Sequence, residues 1–283
     1  TYVESAKSNE PIWKSAMVKF KVPDSLKDLE KLAKNLWWTW QPEASMLFAS
    51  IDANLWEESN HNPVRLLNLL DYERLLELEK DAKFMARLKH ISKTFEDYMS
   101  KASEKTGPKV AYMCLEYGLH ESIPIYSGGL GILAGDYLKE ASDQNTDIVA
   151  FGLLYRYGYF QQGLTLQGEQ VAQYVKQHFT MLPITPVKIS NGDRLILPLQ
   201  LRGPVINAQV WRMDVGRIPL FLFDTDIPEN GDENKMITHN LYGGNKENRF
   251  RQELLLASNT LLLMEKLQIE PDLFHYNEGH TAF

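Results

Sequence analysis

The sequence predicts an α/β protein with a helical front region, and three observations carry that prediction. Residues 1–107 place apolar side chains at helical spacing. From Lys109 the rhythm changes to short apolar runs of strand length. Between two of those runs lies a glycine-rich loop, Ser127-Gly128-Gly129-Leu130-Gly131, that opens a helical stretch. Strand, glycine loop, helix, strand is a βαβ unit.

In the front region Leu26, Leu29, Leu32, Ala33 and Leu36 recur at helical spacing, with Asp24 and Ser25 as candidate caps. Asn35-Leu36-Trp37-Trp38-Thr39-Trp40 closes that helix, and Gln41-Pro42-Glu43 breaks and restarts the chain. A short segment follows around Leu55 and Trp56. Pro63 starts another over 64–70, and 71–99 reads as one further helical stretch. Residues 101–108 (KASEKTGP) are charged and turn-rich and read as a linker. The expected division is a helical region, 1–107, and an α/β region, 108–283.

In the second region, 110–115 and 148–154 are strand candidates flanking a helix over 132–142. Residues 155–226 are strand-rich, with runs at 194–199, 208–215 and 218–223 and a turn at Asn191-Gly192. They read as a β insertion on the α/β body. A helix over 249–267 and a strand over 271–276 follow, and Asn277-Glu278-Gly279-His280 should open another helix. A parallel sheet needs its crossover helices to cover both faces. A strand and one helical turn make an unfavourable finish, so the sequence, which also starts without Met, is expected to be the front part of a longer protein.

Composition narrows the function classes. The chain is 44% hydrophobic and 24% charged, the balance of a soluble, core-forming protein. A net charge of −7 argues against a broad nucleic-acid face, which would need an excess of Lys and Arg. The single cysteine, Cys114, excludes an internal disulfide and a Cys-based zinc site and suits a reducing cytoplasm. It lies in an apolar run and reads as a small core residue. No run approaches the roughly 20 apolar residues of a membrane span, and the first residues show no signal pattern.

The glycine loop offers an anion a close backbone approach and the free N–H groups of a helix start. It reads as a phosphate or sugar-phosphate cradle, or else as a turn needing φ > 0. Its spacing fits neither the dinucleotide fingerprint nor the P-loop. Glu116 stands at the end of the first strand, where open α/β sheets place their ligand crevice. It could orient the loop's N–H groups or accept sugar hydroxyls; the alternative is an exposed loop glutamate. Asn277, Glu278 and His280 stand at a later strand end and suit several hydroxyls at once; the alternative is a capping turn. His275 and His280 are five apart, off the i, i+4 spacing of a helical metal pair. Trp37, Trp38, Trp40 and Trp56 read as packing between helices rather than a sugar platform. Residues 247–253 read as a salt-bridged helix start rather than a phosphate site. His61, His90, His120, His178 and His239 share no spacing and read as structural. No Gly-x-Ser-x-Gly elbow occurs.

In their order along the chain, these motifs resemble the α-glucan (glycogen, starch or maltodextrin) phosphorylases. Residues 121–136 (ESIPIYSGGLGILAGD) are similar to that family's glycine-loop segment, and 153–160 (LLYRYGYF) to the strand that follows. LFDTD at 222–226, Tyr242-Gly243-Gly244 and FHYNEGH at 274–280 recur in the same order. NLWWTW at 35–40 is similar to the helical leader of a bacterial and archaeal branch. The resemblance implies a GT-B glycosyltransferase fold, of which this sequence would hold the N-terminal Rossmann-like domain and not the second. It implies phosphorolysis of terminal α-1,4 glucosyl bonds to glucose 1-phosphate. Pyridoxal phosphate would sit on a lysine of the second domain, outside this sequence. The backbone N–H groups of Gly128, Gly129 and Leu130, in the loop that Gly131 completes, would face phosphate and sugar. Glu116 would brace that loop, and Asn277, Glu278 and His280 would line the glucan side. The catalytic set would be incomplete in this chain, which alone would be inactive, and no metal is implied. The implied partners are α-1,4-glucan and inorganic phosphate, with a homo-oligomer for the longer protein, in the cytoplasm. Two alternatives remain: a glycogen or starch synthase-like transferase on the same architecture, and a non-catalytic glucan-binding module if this is the whole natural chain. The Asn277-Glu278-Gly279-His280 form and the leading helices favour phosphorylase.

Overall fold

The computed structural model describes residues 22–200 and 203–283. The part of the helical region before residue 22, and the reading of the first residues for a signal, lie outside the described residues.

Six helices open the structure: α1 (Lys27–Lys34), α2 (Pro42–Ala49), α3 (Ala53–Glu58), α4 (Pro63–Leu69), α5 (Tyr72–Lys80) and α6 (Ala82–Ser100). Local chemistry sets their starts. Pro42 and Pro63 occupy first-turn positions, where a missing N–H is harmless. The side chains of Asp52 and Asn62 accept from the amides of Leu55 and Arg65. The stretch expected as one helix over 71–99 is two, because Asp81 leaves helical geometry and caps the amides of Lys83 and Phe84. The caps expected at Asp24 and Ser25 do not form. The position before α1 is Leu26, without a side-chain cap, while Ser25 Oγ donates to Glu79 and Asp24 pairs with Lys27. Trp37 and Trp38 are buried, and Trp38 meets Phe48, Trp56 and His120 edge-on, as the packing reading expects.

The α/β region follows: β1 (Thr106–Met113), α7 (Gly129–Asp143), β2 (Thr146–Leu153), β3 (Gln161–Leu164), β4 (Gln170–Gln173), β5 (Ile184–Pro186), β6 (Ile196–Leu199), β7 (Ile206–Val215), β8 (Ile218–Asp224), α8 (Asp232–Lys235), α9 (Lys246–Leu267) and β9 (Leu273–Tyr276). The main sheet has the order β5-β7-β8-β2-β1-β9, with β6 also on β7. Strands β8, β2, β1 and β9 run parallel, and β7 joins antiparallel to β8.

Several expectations change here. The last residues of the expected linker are strand, since Thr106 already pairs with Thr146. Asn35 from the helical region brackets Gly216 with two hydrogen bonds of 2.9 and 3.0 Å, and one buried apolar cluster runs from the helices into the sheet. Strands β7 and β8 are not an insertion on the body but part of its sheet. The run Ile218–Asp224 is buried almost throughout, the pattern of a strand covered on both faces. The β3–β4 hairpin forms a separate two-stranded sheet. Finally, the helix expected after Asn277 is a single 3-10 turn, Gly279–Thr281.

The parallel strands end on one edge, which places Glu116, Arg156, Asp224 and Asn277 beside each other's strand ends. The loop after β1 lies directly on α7. Gly118 N–H donates to the Gly131 carbonyl at 2.7 Å, and a Cβ on Gly135 would sit 2.1 Å from the Gly118 carbonyl oxygen. Gly131 and Gly135, one helical turn apart, share the face that receives this loop. Gly135→Ala is therefore expected to lower stability by about 2–4 kcal/mol through backbone displacement. Chemical denaturation would check it, and a loss under 0.5 kcal/mol, about the surface-substitution range, would contradict it.

Among the described residues, no helix is long and apolar enough to cross a membrane. No cluster of three His, Cys, Asp or Glu among them could hold a metal ion.

Candidate glycine-loop site

Glu116 is the centre of the site. It is 2% exposed, so its carboxylate must be met by hydrogen bonds. Oε2 accepts from the Ser127 amide at 2.6 Å, the Ser127 hydroxyl at 3.2 Å and the Gly128 amide at 3.3 Å. Oε1 accepts from the Tyr242 hydroxyl at 2.5 Å. Gly131 makes room for this: a Cβ there would stand 2.8 Å from Oε2 and 2.6 Å from Tyr126 Cβ. The alternative of an exposed loop glutamate is excluded.

The loop it holds is the start of α7. Ile132 N–H is the first amide of that helix to reach back to a carbonyl, that of Gly128. The amides of Gly129, Leu130 and Gly131 belong to the first turn and have no intrahelical acceptor. Gly128 and Gly129 are exposed and a Cβ on either would meet nothing, so the loop's outer surface is bare backbone. Such a surface suits an anion or a close-lying hydroxyl.

Two residues missed by sequence reasoning complete the opposite wall. Tyr242 takes a left-handed backbone, φ 56°, which brings its hydroxyl to Glu116. Burial, then the hydrogen bond to Glu116, pushes its phenol well above the ordinary value, so it stays a protonated donor. The Arg249 guanidinium lies 4.3 Å from the Tyr242 ring centre. Arg249 also pairs with Glu253 at 3.0 Å, as Arg251 pairs with Glu247 at 2.9 Å, so the salt-bridged helix start is real. That Arg249 also meets Tyr242 and His280 is not written in the local sequence; it depends on how α9 docks.

The turn after β9 supplies the third side. Asn277 is 9% exposed; its amide donates to Cys114 Sγ at 3.2 Å and its N–H to the Met113 carbonyl at 3.0 Å. It fastens the turn to the end of β1. Cys114 in turn donates to the Glu116 carbonyl, and burial pushes its thiol up to about 11, which makes it inert packing. Glu278 is exposed at φ 72° and ψ 160°, a region almost reserved for glycine, and such strain gathers at functional sites. His280 Nδ1 lies 3.4 Å from Arg249 Nη2. Arg249 can only donate, so Nδ1 accepts and the ring proton sits on Nε2. That Nε2 is buried without a partner. Burial and the neighbouring Arg249 lower the His280 pKa and keep the ring neutral. His275, by contrast, is exposed against the rings of Tyr112 and Tyr137.

No lysine stands among these residues. The half-buried Lys105 donates to the carbonyls of Thr146 and Arg217, beside the start of β2, away from this edge. These site residues therefore offer no amine for covalent attachment of pyridoxal phosphate.

The fold and site together define an α/β protein that presents a carboxylate-braced glycine loop at the ends of its parallel strands. Comparison with known proteins makes this specific. A family model described as "Protein of unknown function (DUF3417)" matches residues 22–123. The maltodextrin phosphorylase of Thermococcus litoralis is 38% identical over 273 residues, covering 94% of this chain and 33% of that protein. The glycogen phosphorylase of Mycobacterium tuberculosis is 40% identical over 285 residues, with the same shares. That of Aquifex aeolicus is 38% identical, covering 90% of this chain and 37% of its own. The catalytic domain of starch synthase IV from Arabidopsis thaliana, bound to ADP and acarbose, aligns with a TM-score of 0.41 at 17% identity, over 63% of this chain and 29% of its own. Over nearly all its length, then, this chain is homologous to the N-terminal third of proteins named maltodextrin and glycogen phosphorylase. It spans about a third of the length of those relatives.

Proposed function

We propose that this chain supplies the glycine-loop side of an α-glucan phosphorylase active site, on a GT-B architecture. In a protein of the relatives' length, it takes part in moving a terminal α-1,4 glucosyl unit from glycogen or maltodextrin to inorganic phosphate. The observation that carries the reading is homology to phosphorylases over 94% of the chain. The geometry supports it. Glu116 holds Ser127 and Gly128, whose amide is turned to the carboxylate rather than outward as the sequence led one to expect. Of the three expected amides, those of Gly129 and Leu130 are left to meet phosphate and sugar oxygens without reorganising. Glu278 and His280, on the turn that Asn277 fixes, form the glucan-facing wall. The neutral His280 offers its Nε2–H to a sugar hydroxyl.

Pyridoxal phosphate, where bound, would supply proton transfer through its phosphate; in a protein of the relatives' length its lysine would lie outside the residues of this chain. One side of an active site cannot stabilise the transition state alone. The 283-residue chain given maltoheptaose, inorganic phosphate and pyridoxal phosphate is expected to release no glucose 1-phosphate, whereas a protein of the relatives' length carrying it is expected to do so. Release by the chain alone would overturn the requirement for the remaining part. No release by the longer protein would overturn the function.

A further inference from the structure

The segment that runs from the end of β1 to the glycine loop is tied to the front helical region at two neighbouring residues. His120 sets its ring edge-on to Trp38, with ring centres 4.7 Å apart. Glu121 accepts from Nδ1 of His61, which lies in the connection between α3 and α4. The other ring nitrogen of His61, Nε2, stands 3.1 Å from Glu57 of α3. One imidazole therefore faces two carboxylates, one on each nitrogen.

That arrangement dictates a protonation state. An ionised carboxylate can only accept, so both ring nitrogens must donate, and only the imidazolium carries two N–H groups. A neutral ring would turn a lone pair on one carboxylate and lose its charge attraction to both. The hydrogen bonds to Glu121 and then Glu57 outweigh burial and raise the His61 pKa above its ordinary 6.5. The backbone is set for the same contact. Asn60 and His61 both take left-handed geometry, φ 54° each, which is uncommon outside glycine. His61 N–H donates to the Trp56 carbonyl at 3.0 Å, and its ring centre lies 5.4 Å from that of the buried Trp56.

Other charges surround the pair. Arg65 of α4, and Lys176 and His178 of the segment after β4, line the hollow that Glu121 borders. Lys139 of α7 acts on His120, which burial holds neutral down to about 4. His178 is another imidazole near Glu121, and a variant at His61 distinguishes the two.

We infer that His61 is a pH-dependent positioning residue: as the imidazolium it pins the segment ahead of Ser127 to the front helices, and it loosens that hold when it loses its proton. Ile123 and Ile125, buried between Glu121 and Ser127, carry the restraint to the glycine loop. Folded His61 holds its proton more tightly than the unfolded chain does. The restraint is thus fully present below about pH 6.5 and is lost as pH rises through the folded value. The bearing on catalysis rests on the phosphorylase reading; the pin itself does not.

Nitrogen-15 NMR of the 283-residue chain reads the His61 ring directly. Hydrogen-exchange protection factors read the amides of Ile123, Ser127 and Gly128. His61 should titrate above its ordinary value, and protection should fall about threefold across that titration. The fall should vanish in His61→Gln and, separately, in Glu121→Gln. Glu121 is exposed, so its variant keeps the test available where His61→Gln does not fold. In the longer protein, His61→Gln should raise the KM for inorganic phosphate about threefold at about pH 6 and leave it unchanged at about pH 8. His61 titrating at or below its ordinary value, protection that is constant across the titration, or the same fall in both variants would overturn the pin. A KM ratio independent of pH would overturn the positioning role. Glucose 1-phosphate release by the longer protein judges the function separately, so either reading can fail alone.

Discussion

Glu116→Ala is expected to destabilise the protein by about 3–5 kcal/mol and to free the glycine loop. The carboxylate satisfies two backbone amides, a serine hydroxyl and a tyrosine hydroxyl inside a nearly sealed site. Hydrogen bonds to a charged acceptor contribute about 1.5–3 kcal/mol each, and orphaned buried donors add their desolvation cost. Glu116→Gln separates charge from shape. Its carbonyl oxygen can take the place of Oε2, and its NH₂ can donate to the Tyr242 oxygen, which accepts as well as donates. It should cost about 1–2 kcal/mol. Urea unfolding would measure both losses, and hydrogen exchange at residues 127–131 would report the loop. Equal losses in the two variants, or unchanged exchange in Glu116→Ala, would show that the carboxylate does not brace the loop.

Arg156→Ala should cost about as much, roughly 3–5 kcal/mol, for a different reason. Arg156 lies just past β2 and gathers three elements. Its Nε donates to Asp226 at 2.7 Å, and its guanidinium covers the Phe179 ring at 3.6 Å. It also faces Asp224 at 3.7 Å, at the buried end of β8. Removing it leaves two carboxylates without their cation. The pH dependence gives this away. Burial, opposed by Arg156, raises the Asp224 pKa from 3.8 to about 6. The folded state thus holds that proton more tightly than the unfolded chain. Its contribution is fully present below about pH 3.8 and is lost as pH rises through about 6. Without Arg156 the folded value rises further, so the deficit of Arg156→Ala should be larger at pH 8 than at pH 5. A deficit that does not change with pH would place the loss in the Phe179 contact rather than in the charges.

Much of this was written locally. The helix starts at Pro42, Pro63 and Asn245 follow from proline at the first turn and from side-chain caps, which need only neighbours in sequence. The strand–glycine loop–helix–strand unit follows from apolar runs separated by Ser127-Gly128-Gly129-Leu130-Gly131. A local signal was also available for the packing of α7: glycines four apart, at 131 and 135, mark the face where another backbone comes close. Asp81 likewise signalled a break that the apolar pattern of residues 71–99 concealed, because a cap needs one oxygen and periodicity is blind to it.

The sequence by itself determined the class of fold, the glycine loop and the presence of a carboxylate at the end of β1. Only the tertiary structure decided what that carboxylate does. Ser127 and Gly128 are close to Glu116 in sequence, but Tyr242 is 126 residues away and Arg249 approaches only because α9 docks beside β9's turn. The same holds for β8, whose apolar run suited an insertion as well as a central strand until its partner, β2, was known. Periodicity reports which face of an element is buried; it carries no information about what lies against that face. The glycine loop could be read from composition, while the wall that faces it was set by which strand ends the sheet brings together.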